Sequence, residues 1–327
     1  MPSLSTTYLG LSLNNPVIAS SSGFTGTIKG IKSCAQAGAG AVVLKSLFEE
    51  QIDYDLRGEK DEDELSMHPE APEYVDRMGK QLGPSSYIKL VRQAKEETDV
   101  PIIASVNCVS SQWWTDYARQ IEHAGADAIE LNISIMPRSF AETAGEVEDR
   151  FVSIVQDVAR SVRVPIAVKI GPYFSALPAL AARLQGAGAR GLVLFNRFYQ
   201  LDIDIESMRL TPGYQFSSDQ EIYTGLRWIS ILSGQLECEL SASTGVHSAT
   251  EAVKFLLAGA QTVQLASTIY RNGVEEITRI LDGVQKWMQG KGYEEISQFR
   301  GILSQSESTQ PEAYERLQYI KALTGIS

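Results

Sequence analysis

Residues 37–44 read AGAGAVVL, and the pattern returns as AGADAIEL at 124–131, AGARGLVL at 187–194 and AGAQTVQL at 258–265. In each copy small residues close a helix and turn sharply into an aliphatic run. Glycine supplies the positive φ that stops a helix, and the run after it suits a strand buried on both faces. A second pattern, proline followed by aliphatic residues, precedes three of the copies: PVIAS from Pro16, PIIAS from Pro101 and PIAVKI from Pro165. Proline as the first residue of a strand costs no ladder hydrogen bond. The separations from these prolines to the next AGA are 21, 23 and 22 residues, one βα unit each. CELSAST from Cys238 stands in the same place before the fourth copy, without the proline. Two sequence types alternating four times predict eight strands with helices between them, a (β/α)8 TIM barrel. An open doubly wound sheet is the alternative, but it rarely carries four near-even two-strand repeats.

The same spacing sets the domain organisation. At roughly 150 residues per domain, a chain of 327 residues would hold two domains, but α/β barrels of about 250 residues fold as one. No linker rich in Pro, Gly or Ser interrupts the repeats, so a single domain over 1–327 is expected. The excess falls in insertions at about 48–84 and 198–223, both after strand C-termini, and in a helical tail from about 293 to 327. The first insertion carries EKDEDEL from Glu59, which reads as a solvated loop. With 43% hydrophobic and 21% charged residues the composition is globular. A formal net charge of −11 argues against nucleic-acid binding, which needs clustered Lys and Arg. The three cysteines, Cys34, Cys108 and Cys238, are widely spaced with no CxxC pair, which fits a reducing compartment and neither a disulfide framework nor a zinc site. No apolar run reaches the ~18 residues of a membrane span, and no basic-then-apolar leader opens the sequence. A cytoplasmic protein without membrane attachment or bound metal is expected.

In such a barrel the chemistry gathers where strands meet their following loops. Those positions hold Ser20, Ser21, Ser22 and Gly23 after strand 1, and Lys45 and Ser46 after strand 2. Asn107 follows on strand 3, Glu130, Asn132 and Ser134 on strand 4, Lys169 on strand 5 and Asn196 with Arg197 on strand 6. Lys45 and Lys169 end otherwise apolar runs, and a buried ammonium needs a carboxylate or an anionic ligand. Glu130 is the structural partner either lysine could find inside the barrel. Strands 7 and 8 end in Ser243, Thr244 and Gly245 and in Ala266, Ser267 and Thr268. Small residues there let backbone N–H groups approach a phosphate, although turn and capping chemistry uses the same residues. Asn132 and Asn196 offer both donor and acceptor, as the edge of a flavin or pyrimidine requires, or as a structural loop amide would. His68, His123 and His247 are scattered without metal-ligand spacing.

Taken together and in order, these residues resemble the dihydroorotate dehydrogenase family, closest to its soluble branch. The matching stretches are LGLSLNNPVIASSSG from Leu9, AGAGAVVLKS from Ala37, ADAIELNIS from Ala126, VPIAVKI from Val164 and STGVHSATEAVKFLLAGAQTVQLAST from Ser243. The resemblance runs from the N-terminus to about residue 290. It implies an FMN cofactor, with Ser21 and Ser22 along the flavin, Lys45, Ser46 and Asn107 near its ring, and Asn132 touching flavin and substrate. It places Lys169 at the pyrimidine side of the ring, where a cation favours the anionic reduced form. Thr244, Gly245, Ala266 and Ser267 would hold the phosphate. The implied reaction moves a hydride from dihydroorotate to FMN while a base removes the neighbouring proton, with reoxidation by fumarate or another small acceptor. Barrels of this branch are often dimers, so a homodimer is expected.

The departures fall on the substrate side. Where the soluble branch reads Asn-Leu-Ser-Cys-Pro-Asn with Cys as base, this chain has Asn132, Ile133, Ser134, Ile135, Met136 and Pro137. Ile135 cannot take a proton; the family's membrane branch uses Ser as base, and this resemblance implies that a shifted loop would recruit Ser134 or Ser139. The family's Asn-Ser-Met-Gly substrate motif becomes Asp76, Arg77, Met78 and Gly79. The Asn-Ser after strand 6 becomes Asn196-Arg197. Expected catalytic residues are thus Lys45, Asn132 and Ser134, and expected substrate contacts Lys45, Asp76, Met78, Gly79, Asn132 and Asn196. Two alternatives stand beside dihydroorotate oxidation: an FMN oxidoreductase acting on another cyclic amide or enone, and a non-catalytic flavin-binding barrel. No GxGxxG follows a strand and no iron–sulfur cysteine cluster is present.

Overall fold

A computed structural model describes residues 1–48, 84–108, 114–137, 139–197, 200–213, 215–314, 320 and 323–325. Eight parallel strands form the centre: β1 (Val17–Ala19), β2 (Ala41–Val43), β3 (Ile102–Cys108), β4 (Ala128–Ile133), β5 (Ile166–Ile170), β6 (Gly191–Leu194), β7 (Glu239–Ser243) and β8 (Thr262–Leu265). Each pairs with the next in chain order, and β8 pairs back to β1 with Val263 opposite Val17. The ring is therefore closed, and the open-sheet alternative is excluded. A short strand, Leu47–Phe48, also pairs beside β3.

The repeat glycines do what their position requires. Gly38, Gly125, Gly188 and Gly259 have φ of +95°, +98°, +113° and +115°, a region costly for any residue with a Cβ. The strand-opening prolines lack a donor but keep an acceptor. Pro16, Pro101 and Pro165 each accept a backbone bond from the adjoining strand, from Val263, Val42 and Ile129 at 2.8–3.0 Å.

Outside the ring lie α1 (Ile28–Gln36), α2 (Pro84–Glu97), α3 (Trp114–His123), α4 (Ala144–Ser161), α5 (Leu177–Gly186), α6 (Ile222–Leu232), α7 (Ala249–Ala258), the short α8 (Ser267–Asn272) and α9 (Glu276–Lys291). Their apolar stripes cover the outer strand faces in one continuous core. Reciprocal capping boxes, Thr143 with Glu146 and Ser248 with Glu251, start α4 and α7. Two 3₁₀ turns, Ile296–Gln298 and Pro311–Tyr314, follow α9.

A second apolar cluster fills the lower barrel. An N-terminal hairpin, Thr6–Tyr8 paired with Leu11–Leu13, inserts Tyr8, Leu9 and Leu13 among Ile18, Val43, Ile103 and Val193. Gly191 makes room for it, since a Cβ there would lie 2.7 Å from a Leu9 methyl and 3.3 Å from the Tyr8 ring. The plugged end is the N-terminal one, which leaves the C-terminal mouth for a ligand. The extra length after β6 contains a second hairpin, Gln200–Asp204 with Arg209–Gly213. No helix among the described residues is long and apolar enough to cross a membrane.

Candidate active site

Strand register builds the floor of the mouth. Asn107 lies opposite Asn132 and Asn132 opposite Lys169, so β3, β4 and β5 bring one residue each to the same level. One layer below, Ser105 is opposite Glu130 and Glu130 opposite Ala167. Side chains from distant strands then meet inside the barrel. Lys169 Nζ donates to Ser20 Oγ at 3.1 Å and to Gln264 Oε1 at 3.2 Å. Ser20 Oγ donates to Gln264 Oε1 at 3.0 Å, and Gln264 Nε2 to Glu130 Oε2 at 2.8 Å. Lys169 and Glu130 are 6% and 1% exposed, with Nζ 3.8 Å from Glu130 Oε1. The structural partner expected for one of the lysines thus belongs to Lys169. Gln264, missed in the sequence, is the bridge; its signal was a lone polar residue inside the apolar run TVQL, two positions before Ala266.

A line of hydroxyls crosses from β1 to α2. Ser21 Oγ and Ser46 Oγ are 3.0 Å apart, and Ser46 N–H donates to Ser21 Oγ at 2.9 Å. Ser46 Oγ is 2.7 Å from Ser105 Oγ, and Tyr87 Oη accepts from the Ser105 N–H and donates to its carbonyl. Burial holds the Tyr87 phenol far above its usual range, so it stays a neutral donor. Lys45 is half-buried beside this line, its N–H donating to Thr25 O at 3.3 Å. Ser22 is fixed by Thr25, whose hydroxyl accepts its N–H and donates to its carbonyl, both at 3.1 Å.

On the opposite side, Asn196 Nδ2 donates to Asn132 Oδ1 at 2.9 Å, which brings two of the predicted amides together. Thr244 and Gly245 both take positive φ, +79° and +81°, and Thr244 Oγ1 donates to Phe195 O at 3.0 Å. A Cβ on Gly245 would come within 2.9 Å of Ile222 N and 3.1 Å of Ser218 O, so the loop after β7 requires glycine. Ala266 is the N-cap of α8, and Ser267 Oγ accepts from Ser217 N–H at 3.0 Å. Arg197 pairs with Glu221 at 2.8 Å and donates to Gln215 O, so its guanidinium is committed to the loop before α6.

His247 has a part here that its isolation in the sequence did not signal. Its Nε2 is 3.1 Å from Ser217 Oγ and its Nδ1 3.0 Å from Thr268 Oγ1. The Thr268 hydroxyl gives its proton to Val246 O, so Nδ1–H is the donor and Nε2 accepts from Ser217. Burial and then Arg271 hold the imidazole below its ordinary pKa. The ring ties the segments after β6 and β7 to the first turn of α8.

Two cavities open beside this floor. A polar one of about 420 Å³ is bounded by Asn196, Arg197, Glu221, Ser243 and Thr244. An apolar one of about 460 Å³ is bounded by Ile133, Ser134, Ile135, Val147, Phe151 and Phe174. Tyr173 lines both. Ile135, at the family's base position, is buried in the wall of the apolar cavity against α4. Ser134 is half-buried in the same wall. Asp76, Met78 and Gly79 lie outside the described residues, as does EKDEDEL.

The residues present fit the FMN that the resemblance implies. The floor offers a buried ammonium, hydroxyls and amides, while Glu130 lies a layer below and engaged by Gln264. Two successive left-handed residues, Thr244 and Gly245, the glycine packed against backbone, form a loop that lets main-chain N–H groups approach an anion closely.

The dihydroorotate dehydrogenase family model matches residues 3–288. A protein of Aeropyrum pernix assigned as a dihydroorotate dehydrogenase A (fumarate) is 29% identical over 92% of this chain and 97% of its own length. The catalytic subunits of dihydroorotate dehydrogenase B (NAD(+)) from Thermoplasma volcanium and Methanosarcina mazei are 26% and 29% identical, over 92% and 90% of this chain and 99% and 94% of theirs. Matched over nearly its whole length and built on a closed eight-stranded barrel, the chain belongs to the dihydroorotate dehydrogenase family, oxidoreductases acting on CH–CH donors whose members generally bind FMN.

Proposed function

We propose that the protein is an FMN-dependent dehydrogenase that oxidises dihydroorotate to orotate in pyrimidine biosynthesis, with fumarate or another small molecule as final acceptor. The observation that carries this is the buried Lys169 ammonium in the barrel floor, level with Asn107 and Asn132. Its position suits the pyrimidine edge of a flavin, and the family match supports the substrate. FMN, when bound, supplies the hydride acceptor. Lys169 would hold positive charge at the pyrimidine side of the ring, and Ser21 and Ser46 would present hydroxyls along it. Thr244, Gly245, Ala266 and Ser267 would receive the phosphate. Asn132 and Asn196 orient the substrate with Lys45. Ser134 is the group proposed to take the proton from the substrate carbon, because Ile135 cannot. The unit at work is one barrel domain, in a reducing cytoplasm that suits the free thiols Cys34 and Cys238, and as a homodimer.

Adding dihydroorotate anaerobically to FMN-loaded protein should bleach the flavin absorbance. FMN-loaded protein that stays oxidised would sink dihydroorotate as substrate. One observation favours a second reading, an FMN oxidoreductase for another cyclic amide or enone: the β4 loop lines an apolar cavity where the family places its base. Bleaching by such a compound and not by dihydroorotate would select it. Protein that takes up no FMN would remove both.

A further inference from the structure

Glu130 poses a question that packing does not answer. Its side chain is 1% exposed, its Oε2 accepts from Gln264 Nε2 at 2.8 Å, and its Oε1 has no hydrogen-bond partner. Burying a carboxylate with part of its acceptor capacity unused is costly. A glutamine of the same shape would keep the bond from Gln264 without the charge, so the charge itself needs a reason.

Lys169 provides it. Its Nζ is 3.8 Å from the unpartnered Oε1, and its two hydrogen bonds go to Ser20 and Gln264. Gln264 therefore touches both charges, its carbonyl oxygen on the ammonium and its amide nitrogen on the carboxylate. Lys169 leaves β5 in register with Asn107 and Asn132, and Glu130 leaves β4 one register layer nearer the plugged end, so the cation is rooted on the mouth side of the anion. In this low-dielectric setting each charge is felt strongly by any ring bound above it.

We propose that Glu130 is a positioning residue: through Gln264 it fixes Lys169 and sets how much of that positive charge reaches the bound flavin. This rests on the FMN reading. With Glu130 in place, the mouth sees a partly compensated cation; without it, an uncompensated one that pulls the flavin toward its anionic reduced form.

The test is the two-electron potential of bound FMN, measured by anaerobic dye equilibration, with the FMN Kd from fluorescence titration. Glu130→Gln should shift the equilibrium toward reduced flavin at least tenfold, about 30 mV upward for two electrons. Glu130→Asp keeps the charge and should stay within threefold of wild type. If Glu130→Gln does not accumulate folded, Glu130→Met, which removes the same charge with a side chain of similar volume, takes its place with the same expected shift. An unchanged potential on removing the Glu130 charge, with Lys169 in place, overturns the proposal while leaving the flavin reading intact. Failure of the wild-type protein to bind FMN overturns the flavin reading itself.

Discussion

His247 illustrates how a single side chain can stabilise this mouth without touching a reacting atom. Its neutral ring bridges Ser217 and Thr268, and both neighbours are buried. Burial, then Arg271, lowers its pKa from the ordinary 6.5, so the folded protein resists protonation there. The unfolded chain takes up that proton near pH 6.5; the folded one takes it only at lower pH. The stabilisation is therefore complete above about pH 6.5 and is lost as the pH falls through the lower folded value. Melting temperatures measured from pH 8 to pH 5 should fall on the acid side for wild type, and less steeply for His247→Gln. Parallel curves would exclude His247 as a source of acid lability. Ile135 makes the complementary point about residues. The sequence excluded it as a base by its chemistry alone, and its place against α4 follows from an apolar side chain finding Val147 and Phe151.

At the scale of elements, the loop after β7 carries the sharpest constraint. Gly245 has φ of +81° and no space for a Cβ against Ile222 N at 2.9 Å, a backbone atom that a rotamer change cannot move aside. Gly245→Ala meets a left-handed penalty of roughly 1–2 kcal/mol in addition to the clash, and the loop must shift to relieve both. FMN affinity should drop more than tenfold while the barrel's far-UV circular dichroism stays unchanged. Wild-type affinity in the variant would take this loop out of the phosphate site. The barrel itself was readable because its signals are local: each AGA glycine and each strand-opening proline specifies backbone geometry at its own position. The hairpin Gln200–Asp204 with Arg209–Gly213 also had a local signal, alternating Leu201, Asp202, Ile203 and Asp204, but the segment registered only as extra length. Gln264 and His247 were not readable, because their roles depend on partners 134 and 30 residues away that only the closed ring brings together. Among residues that were readable, Lys169 was ambiguous between ligand and ion pair, and its geometry serves both.

For the whole molecule, the net charge of −11 and the hairpin after β6 pull in opposite directions. Leu201, Ile203, Ile205, Met208 and Leu210 are 59–87% exposed, and Ile203 lies opposite Leu210 across the hairpin. One face of a two-stranded ribbon is thus apolar and open, more than scattered surface hydrophobes account for. In the homodimer proposed above a second copy would offer the same face, and an isologous contact across a two-fold axis would let each hairpin cover the other. Two chains of the same negative charge repel until salt screens them, over about 8 Å at 0.15 M ionic strength. Apolar contact must therefore supply the attraction, and the dimer should tighten as salt rises, opposite to an association built on ion pairs. Sedimentation equilibrium should find a dimer whose dissociation constant falls between 0.05 and 0.5 M NaCl. Ile203→Glu with Leu210→Glu should yield monomers that still bind FMN, since none of the residues proposed to hold FMN lies in the hairpin. A wild-type monomer at all salt concentrations, or a dimer indifferent to the double substitution, would place the subunit contact elsewhere or remove it.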